Sequence, residues 1–166
     1  MKLKFVFAAA AVAAVSLCVV GIAGAAKKVS GTTFHLIEKD GAFQYVDNKP
    51  YGGQNSPPSM GDMFVFQSTL LTKSMKRTGS LQAECVVTKG GQHMMAQCTG
   101  TFTLAGGELA LQALIKDSSG KIPDHIVIVG GTGVYEGATG SIEAKSRGDN
   151  SPYTDDTVHL VLPKQA

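Results

Sequence analysis

The sequence predicts an all-β fold, either a sandwich or a closed antiparallel barrel. It contains about eight or nine short strand-like runs, spaced by about 10–15 residues and separated by glycine, asparagine or proline. Beyond residue 26, no window of 12 residues shows the apolar stripe of an amphipathic helix. Many short strands without helices form a sandwich or a barrel. We favour the barrel because closure leaves no exposed strand edge.

The predicted strands are short runs of alternating or largely apolar residues. In chain order they cover residues 33–38, 42–46, 63–71, 80–88, 94–104, 108–115, 126–129, 141–146 and 157–162. The alternation is clearest in residues 94–104, where Met94, Cys98 and Phe102 share a face with the other even-numbered residues. Residues 47–58 are rich in asparagine, proline, glycine and serine and predict a loop. A loop of this length is often functional.

The stretch IVIVGGTGVYEGATG, residues 126–140, begins like a strand that runs into a nucleotide-binding glycine loop. A dinucleotide fingerprint requires GxGxxG at the start of a helix whose N-terminus holds the pyrophosphate. Gly133, Gly137 and Gly140 would interrupt that helix, and each interior glycine costs about 1 kcal/mol relative to alanine. We therefore predict a glycine-rich corner between two strands and no nucleotide site.

The first 26 residues have the composition of a signal peptide. Lys2 and Lys4 precede an apolar run of about 16 residues, and Ala23-Gly24-Ala25 offers the small residues that a signal peptidase requires. The run is short for a membrane span, which needs about 20 residues; an uncleaved anchor is the alternative. We expect cleavage after Ala25 or Ala26 and export to the periplasm or the medium. The mature chain, residues 27–166, is then a single domain without membrane attachment.

The charge balance argues against nucleic acid as a partner. The chain has 15 lysines and arginines against 13 acids, and Lys2 and Lys4 account for the excess. Without them the chain is neutral, and no basic run interleaved with aromatic residues remains. His93, His125 and His159 lie apart, with no carboxylate or cysteine at ligand spacing, so we expect no metal site.

Cys85 and Cys98 are the two of three cysteines that remain after the expected cleavage. Both lie in strand-like runs that flank Lys89-Gly90-Gly91-Gln92, a di-glycine hairpin signal. A turn centred between Gly91 and Gln92 would place the two cysteines opposite each other. An exported protein meets an oxidising compartment, so the sequence predicts a cross-strand disulfide. Two small buried thiols are the alternative.

Three blocks of the sequence resemble the allene oxide cyclase-like barrel family, whose relatives include the plant dirigent proteins. They are Gly61-Asp62-Met63-Phe64-Val65-Phe66, Gly79 followed by Ala83-Glu84-Cys85-Val86-Val87, and the glycine run from Gly130 to Gly140. The resemblance implies an eight-stranded, lipocalin-like barrel, commonly trimeric, with an apolar cavity and without a metal or organic cofactor. The plant cyclases close an epoxide-derived fatty acid chain into a cyclopentenone, and the dirigent relatives steer the coupling of phenolic radicals. Both hold a substrate in one conformation.

The resemblance also assigns positions to the cyclase site. With Glu38-Lys39-Asp40 aligned on the first family block, His35 stands where the cyclases have a key glutamate and Ile37 where they have an asparagine. Ser68 stands where a second asparagine binds an ordered water, and Cys85 keeps the cyclase identity. Ser68 and Cys85 are therefore predicted ligand contacts. His35 is the first catalytic candidate, because histidine exchanges protons near neutral pH; an outward histidine at a strand end is the alternative.

At the glycine run, Val134 and Thr139 replace the catalytic aspartate and arginine of the dirigent relatives. Glu136 is a second catalytic candidate and Tyr135 a predicted ligand contact, provided that this corner lines the mouth of the barrel. The alternative for Glu136 is a bond to backbone amides at the turn. Gln112 interrupts an apolar strand and is a predicted ligand contact, with an ordinary outward position as the alternative.

These observations support three functions of different classes. The first is an exported barrel that binds a small hydrophobic molecule, fatty-acid-derived or aromatic, in its cavity. The second is a cofactor-free cyclase or isomerase that acts on such a molecule. The third is a structural oligomer in which no ligand matters. A barrel whose side chains fill its interior completely would exclude the first two.

Overall fold

The computed structural model describes residues 31–49, 56–116 and 125–164, so the predicted signal peptide lies outside the described residues. The strands are β1 (Thr32–Val46), β2 (Met63–Leu71), β3 (Arg77–Lys89), β4 (Met95–Leu104), β5 (Gly107–Ile115), β6 (His125–Gly131), β7 (Thr139–Ser146) and β8 (Tyr153–Val161). Each strand pairs antiparallel with the next, and β8 pairs with β1. The predicted all-β class and the closed barrel are thus confirmed. No helix in the described part of the chain is long and apolar enough to cross a membrane.

Two strands, β1 and β8, differ from the prediction by four residues or more, and the others by at most three at either end. Residues 42–46, predicted as a separate strand, continue β1 beyond a bulge between Asp40 and Phe43. Gly41 allows this bend, because a Cβ there would lie 2.5 Å from the carbonyl oxygen of Gln67. The last strand begins at Tyr153 instead of residue 157, because its first residues continue the ladder with β1 and β7.

The glycine run forms the predicted corner. β6 ends at Gly131, one turn of 3-10 helix covers Gly133–Tyr135, and β7 then begins. Gly133 has φ +61°, and a Cβ there would lie 2.1 Å from the carbonyl oxygen of Gly106, so only glycine fits. Within residues 125–164, no helix longer than this single turn follows β6. The helix that a pyrophosphate site would require is therefore absent from this part of the chain.

The barrel has two distinct ends. One end, called the corner end, holds the glycine corner and the β2–β3 and β4–β5 turns. The opposite end, called the mouth end, holds the β3–β4 turn. The larger apolar cluster occupies the interior toward the corner end and includes Leu70, Phe102, Leu109, Ile142 and Leu160. A smaller cluster, Cys85, Val87, Met94, Ala96 and Cys98, lies toward the mouth end.

Candidate functional site

The barrel encloses a cavity of about 580 Å³ toward the mouth end. Its apolar wall includes the inward-facing side chains of Phe66, Leu81, Met94, Phe102, Leu111 and Ile126. The space exists because three inward positions carry very small residues: Ala83 and Gly100, which pair across β3 and β4, and Ala113 on β5. Its volume lies within the range of about 300–1,000 Å³ typical of small-molecule sites.

Aromatic rings surround the entrance of the cavity. The ring centroids of Phe43 and Phe64 lie 6.2 Å apart, and those of Tyr45 and Phe64 lie 5.3 Å apart, both pairs tilted. Phe43 lines the cavity although 65 % of its side chain is exposed, so the cavity reaches solvent beside this ring. A flat, apolar molecule would meet aromatic faces as it enters.

Asp62 stabilises the segments around this entrance through hydrogen bonds. Its side chain is 1 % exposed and accepts hydrogen bonds from the Tyr45 hydroxyl, from the backbone N–H of Asn48 at 2.9 Å, and from Ser59 through N–H at 2.7 Å and Oγ at 3.1 Å. Burial alone would raise the pKa of Asp62, but these hydrogen bonds outweigh it and lower the pKa. Burial and the bond to Asp62 raise the pKa of Tyr45 to about 12. Asp62 is therefore a structural carboxylate, and both of its oxygens already accept hydrogen bonds from the protein.

Two carboxyl groups lie inside the barrel, Glu38 on β1 and Asp156 on β8. Glu38 pairs with Thr154 across the ladder and Leu36 pairs with Asp156, so the two acids are diagonal neighbours on the inner face. Their exposed fractions are 8 % and 1 %. Glu38 lines the cavity directly. Asp156 alternates with Val158, which belongs to the barrel core, so its side chain also points inward.

The surroundings of this pair raise the pKa of both carboxyl groups. Burial, repulsion from Glu38 and repulsion from Asp155 raise the pKa of Asp156 to about 8. Burial also raises the pKa of Glu38, against the opposing effect of a hydrogen bond from Ser68. Neither carboxyl oxygen of Asp156 has a hydrogen-bond partner among the described residues. Two buried like charges do not ionise together cheaply, so the pair retains a proton near neutral pH.

Three of the predicted ligand contacts lie at the cavity. Ser68 is 4 % exposed and lines it. Cys85 also lines it and is joined to Cys98 by a disulfide with an S–S distance of 2.03 Å. The two cysteines pair directly across β3 and β4, the register that the di-glycine turn predicts. Gln112 borders the cavity, but its side chain is exposed and its neighbours in sequence, Leu111 and Ala113, occupy the inner face.

The other candidates lie away from the cavity. His35 is exposed on the outer face of β1, with Nδ1 3.3 Å from the hydroxyl of Thr157. Tyr135 packs against the core at the corner end and donates its hydroxyl to the carbonyl of Ala105 at 3.4 Å. Glu136 is exposed beside it. The glycine corner therefore lies at the end opposite the mouth, and neither His35 nor Glu136 touches the cavity.

A shallower groove of about 320 Å³ lies beside His35. Lys73, Arg147 and Asp155 border it, and Arg147 donates two hydrogen bonds to Asp155, at 2.6 and 3.0 Å. Asp156 borders the groove as well, although its alternation with core residues directs its side chain inward. An ion pair between exposed residues such as Arg147 and Asp155 contributes little to stability. Within residues 31–49, 56–116 and 125–164, no group of three acids, histidines or cysteines is placed to hold a metal ion.

Glu38 and Asp156 were not among the sequence candidates. Glu38 shares the parity of Phe34 and Leu36, so alternation alone places it on the inner face of β1. Asp156 shares the parity of Val158 in the same way, but it precedes the predicted start of the last strand at residue 157. A strand prediction extended by one residue would have included it.

Comparisons with known proteins agree with this architecture. The allene oxide cyclase barrel like domain family matches residues 31–158. No curated protein matches the sequence. A solved structure of a pyocyanin demethylase is 24% identical, with a TM-score of 0.64 over 78% of this chain and 100% of that chain. A pterocarpan synthase dirigent protein is 19% identical, with a TM-score of 0.62 over 82% and 97%.

A Diels-Alderase from Streptomyces koyangensis is 15% identical, with a TM-score of 0.59 over 84% of this chain and 72% of that chain. At these identities the solved structures establish the fold and leave the chemistry open. The family match spans all eight strands, ending within the last one. The chain belongs to the allene oxide cyclase-like barrel family.

Proposed function

We propose that this protein binds one small, largely apolar molecule inside the barrel. The observation that carries this proposal is the cavity of about 580 Å³, walled by apolar and aromatic side chains and reaching solvent beside Phe43. Eight-stranded barrels are wide enough either to be filled by their own side chains or to hold one small ligand. Here Ala83, Gly100 and Ala113 leave the interior unfilled, which favours ligand binding over a purely structural role.

The test is a titration with N-phenyl-1-naphthylamine, a neutral apolar dye whose fluorescence rises in a dry environment. We expect saturable binding with about one dye per barrel, because the cavity has room for one molecule of that size. Binding should be competed by apolar molecules of similar size. A linear, unsaturable signal, or dye bound at many weak sites, would contradict the proposal.

A second candidate function is a cofactor-free isomerase or cyclase acting on the bound molecule. The observation that favours it is the buried pair of Glu38, which lines the cavity, and its neighbour Asp156, because a carboxyl pair that retains a proton near neutral pH can act as a general acid. Solved relatives include a cyclase named for a [4 + 2] cycloaddition. In this proposal Glu38 and Asp156 take the acid–base role predicted for His35 and Glu136, which lie outside the cavity.

Incubation with an extract of lipids and aromatic metabolites separates the two candidates. The protein is re-isolated, denatured and its released small molecules are identified by mass spectrometry. Recovery of a compound that is identical before and after incubation supports the binder. A ring-closed isomer, formed by the protein and not by Asp156→Asn, supports the enzyme.

We further propose that the protein is exported and forms an oligomer. We infer that residues 1–26 direct export and are removed, on the basis of the lysines, apolar run and small residues described above. The intact mass of protein recovered from the periplasm or medium tests this: it should correspond to a chain that begins at residue 26 or 27. The trimer implied by family resemblance is tested by light scattering of the same sample.

A further inference from the structure

The charge lining the cavity has one sign. Among the described residues that line it, the charged ones are Glu38 and Asp40, both acids. Lysine, arginine and histidine are absent from this lining within the described chain. The opposite wall, built by β3, β4 and β5, contributes apolar, small or uncharged polar residues. An anionic group placed deep in this cavity would therefore meet carboxylates with no cation to compensate them.

Asp156 does not itself line the cavity, but it is the buried diagonal neighbour of Glu38. Its side chain is 1 % exposed, and neither of its carboxyl oxygens has a hydrogen-bond partner among the described residues. Buried carboxyl oxygens in proteins are normally hydrogen-bonded, and each one that is not carries a cost. Asp62, by contrast, is equally buried and accepts four hydrogen bonds. Glu38, which lines the cavity, thus adjoins a buried carboxyl group whose bonding capacity is unused.

We propose, building on the binding function above, that the ligand is an apolar amine or aromatic cation. Its N–H group lies against Glu38, which Asp156 adjoins, and its apolar body fills the space beside Ala83, Gly100 and Ala113. The same arrangement disfavours an anionic ligand, such as a fatty acid, whose carboxylate would have to enter the acidic wall. The substrate class of the site is therefore set by charge as well as by shape.

Two further features fit a cationic ligand. The aromatic rings of Phe43, Phe64 and Phe66 line the cavity, and the face of an aromatic ring attracts a cation. The carboxyl pair also matches a positive charge, because a cation beside Glu38 favours the ionised form of that carboxyl group. A neutral ligand gains neither interaction.

The experiment compares three probes that share one ring system. These are 2-(aminomethyl)naphthalene, a cation at neutral pH, 2-(hydroxymethyl)naphthalene, which is neutral, and 2-naphthoate, an anion. Each is titrated against the protein filled with N-phenyl-1-naphthylamine, and displacement of the dye gives its affinity. We expect the amine to bind about tenfold or more tightly than the alcohol, as a charge-assisted hydrogen bond implies, and the naphthoate to bind most weakly.

Glu38→Gln tests whether the carboxyl pair causes this order. In that variant the ratio of amine to alcohol affinity should fall to about one, because a charged acceptor becomes neutral. Glu38→Leu provides the same comparison if Glu38→Gln folds poorly. The matched control is Glu84→Gln, an exposed glutamate on β3, which should leave the order unchanged.

The outcomes separate this inference from the proposed function. If the dye does not bind the wild-type protein, the cavity proposal fails and this inference fails with it. If the dye binds but the amine does not displace it, or naphthoate binds as tightly as the amine, only the inference is overturned. A preference for the amine that persists in a folded Glu38→Gln or Glu38→Leu variant also overturns it.

Discussion

Glu38 on β1 and Asp156 on β8 are diagonal neighbours on the inner face of the barrel, and both are buried. Their proximity explains why Coulombic repulsion from Glu38 contributes to the raised pKa of Asp156. A fold that needed only stability would place apolar residues at two such positions. The cost of keeping two acids there points to a role in the cavity that Glu38 lines.

The pair makes stability depend on pH. The folded-state pKa of Asp156 is raised from 3.8 to about 8, so between these values the folded protein keeps a proton that the unfolded chain has lost. Rising pH therefore favours unfolding throughout this window, by at most about 1.4 kcal/mol per pH unit. We expect urea denaturation of the wild-type protein to show highest stability near pH 4 and a decline toward pH 8.

Asp156→Asn should flatten that decline and raise stability at pH 8, because the asparagine cannot ionise. The exposed Asp149→Asn serves as the control and should follow the wild-type curve. Parallel curves for the wild type and Asp156→Asn across this range would show that Asp156 is ionised in the folded protein, contrary to our account.

Asp62 should stabilise the mouth end with the opposite dependence on pH. Its lowered pKa means that the stability it contributes is present above the unfolded-state value of 3.8 and is lost as the pH falls below about 4. Asp62→Ala leaves buried donors from Ser59 and Asn48 without an acceptor, so we expect a loss of about 1–3 kcal/mol at pH 7. Thermal denaturation measures this. If the Tm of Asp62→Ala lay within a degree of that of Asp149→Ala, the stabilising role of Asp62 would be refuted.

The disulfide should contribute stability and also shape the cavity wall. It closes a loop of 13 residues in sequence separation, which corresponds to about 2–3 kcal/mol. Urea denaturation with and without reductant should show this difference, and the double variant Cys85→Ala, Cys98→Ala should be insensitive to reductant. Free thiols on both cysteines in exported protein, detected as an unchanged intact mass after reduction, would contradict it.

His35 should have no role in ligand binding in the cavity, since it lies on the outer face of β1 and bonds to Thr157. We expect His35→Ala to bind N-phenyl-1-naphthylamine with wild-type affinity, as measured by fluorescence titration. A loss of tenfold or more, with the fold intact by circular dichroism, would restore His35 as a site residue and require an additional path from the outer groove to the ligand.

The sequence predicted the architecture well because each strand carries its own period-2 pattern. Residues 63–71 were predicted and observed with the same bounds. The glycine corner was also predicted, since its conformation depends on local backbone freedom at positions such as Gly133. The Cys85–Cys98 pairing followed from the register that one short turn imposes.

The site was harder to predict because it depends on contacts between distant strands. Glu38 and Asp156 are separated by most of the chain and meet only when β8 closes against β1. Tyr135 and Glu136 were candidates on the condition that the glycine corner lines the mouth, but the end of the barrel that opens is decided by where the small residues and the apolar cluster lie. No local pattern contains that information.

The central claim, that the cavity binds a ligand, is tested most directly by filling it. Ala113 lines the cavity on β5, whereas Ala110 lies exposed on the outer face of the same strand. Both are changed to phenylalanine, and binding of N-phenyl-1-naphthylamine is measured after circular dichroism has shown that both variants fold. We predict that Ala113→Phe weakens binding at least about tenfold while Ala110→Phe binds like the wild type. Equal binding by a folded Ala113→Phe would show that the dye, and the function inferred from it, lie elsewhere.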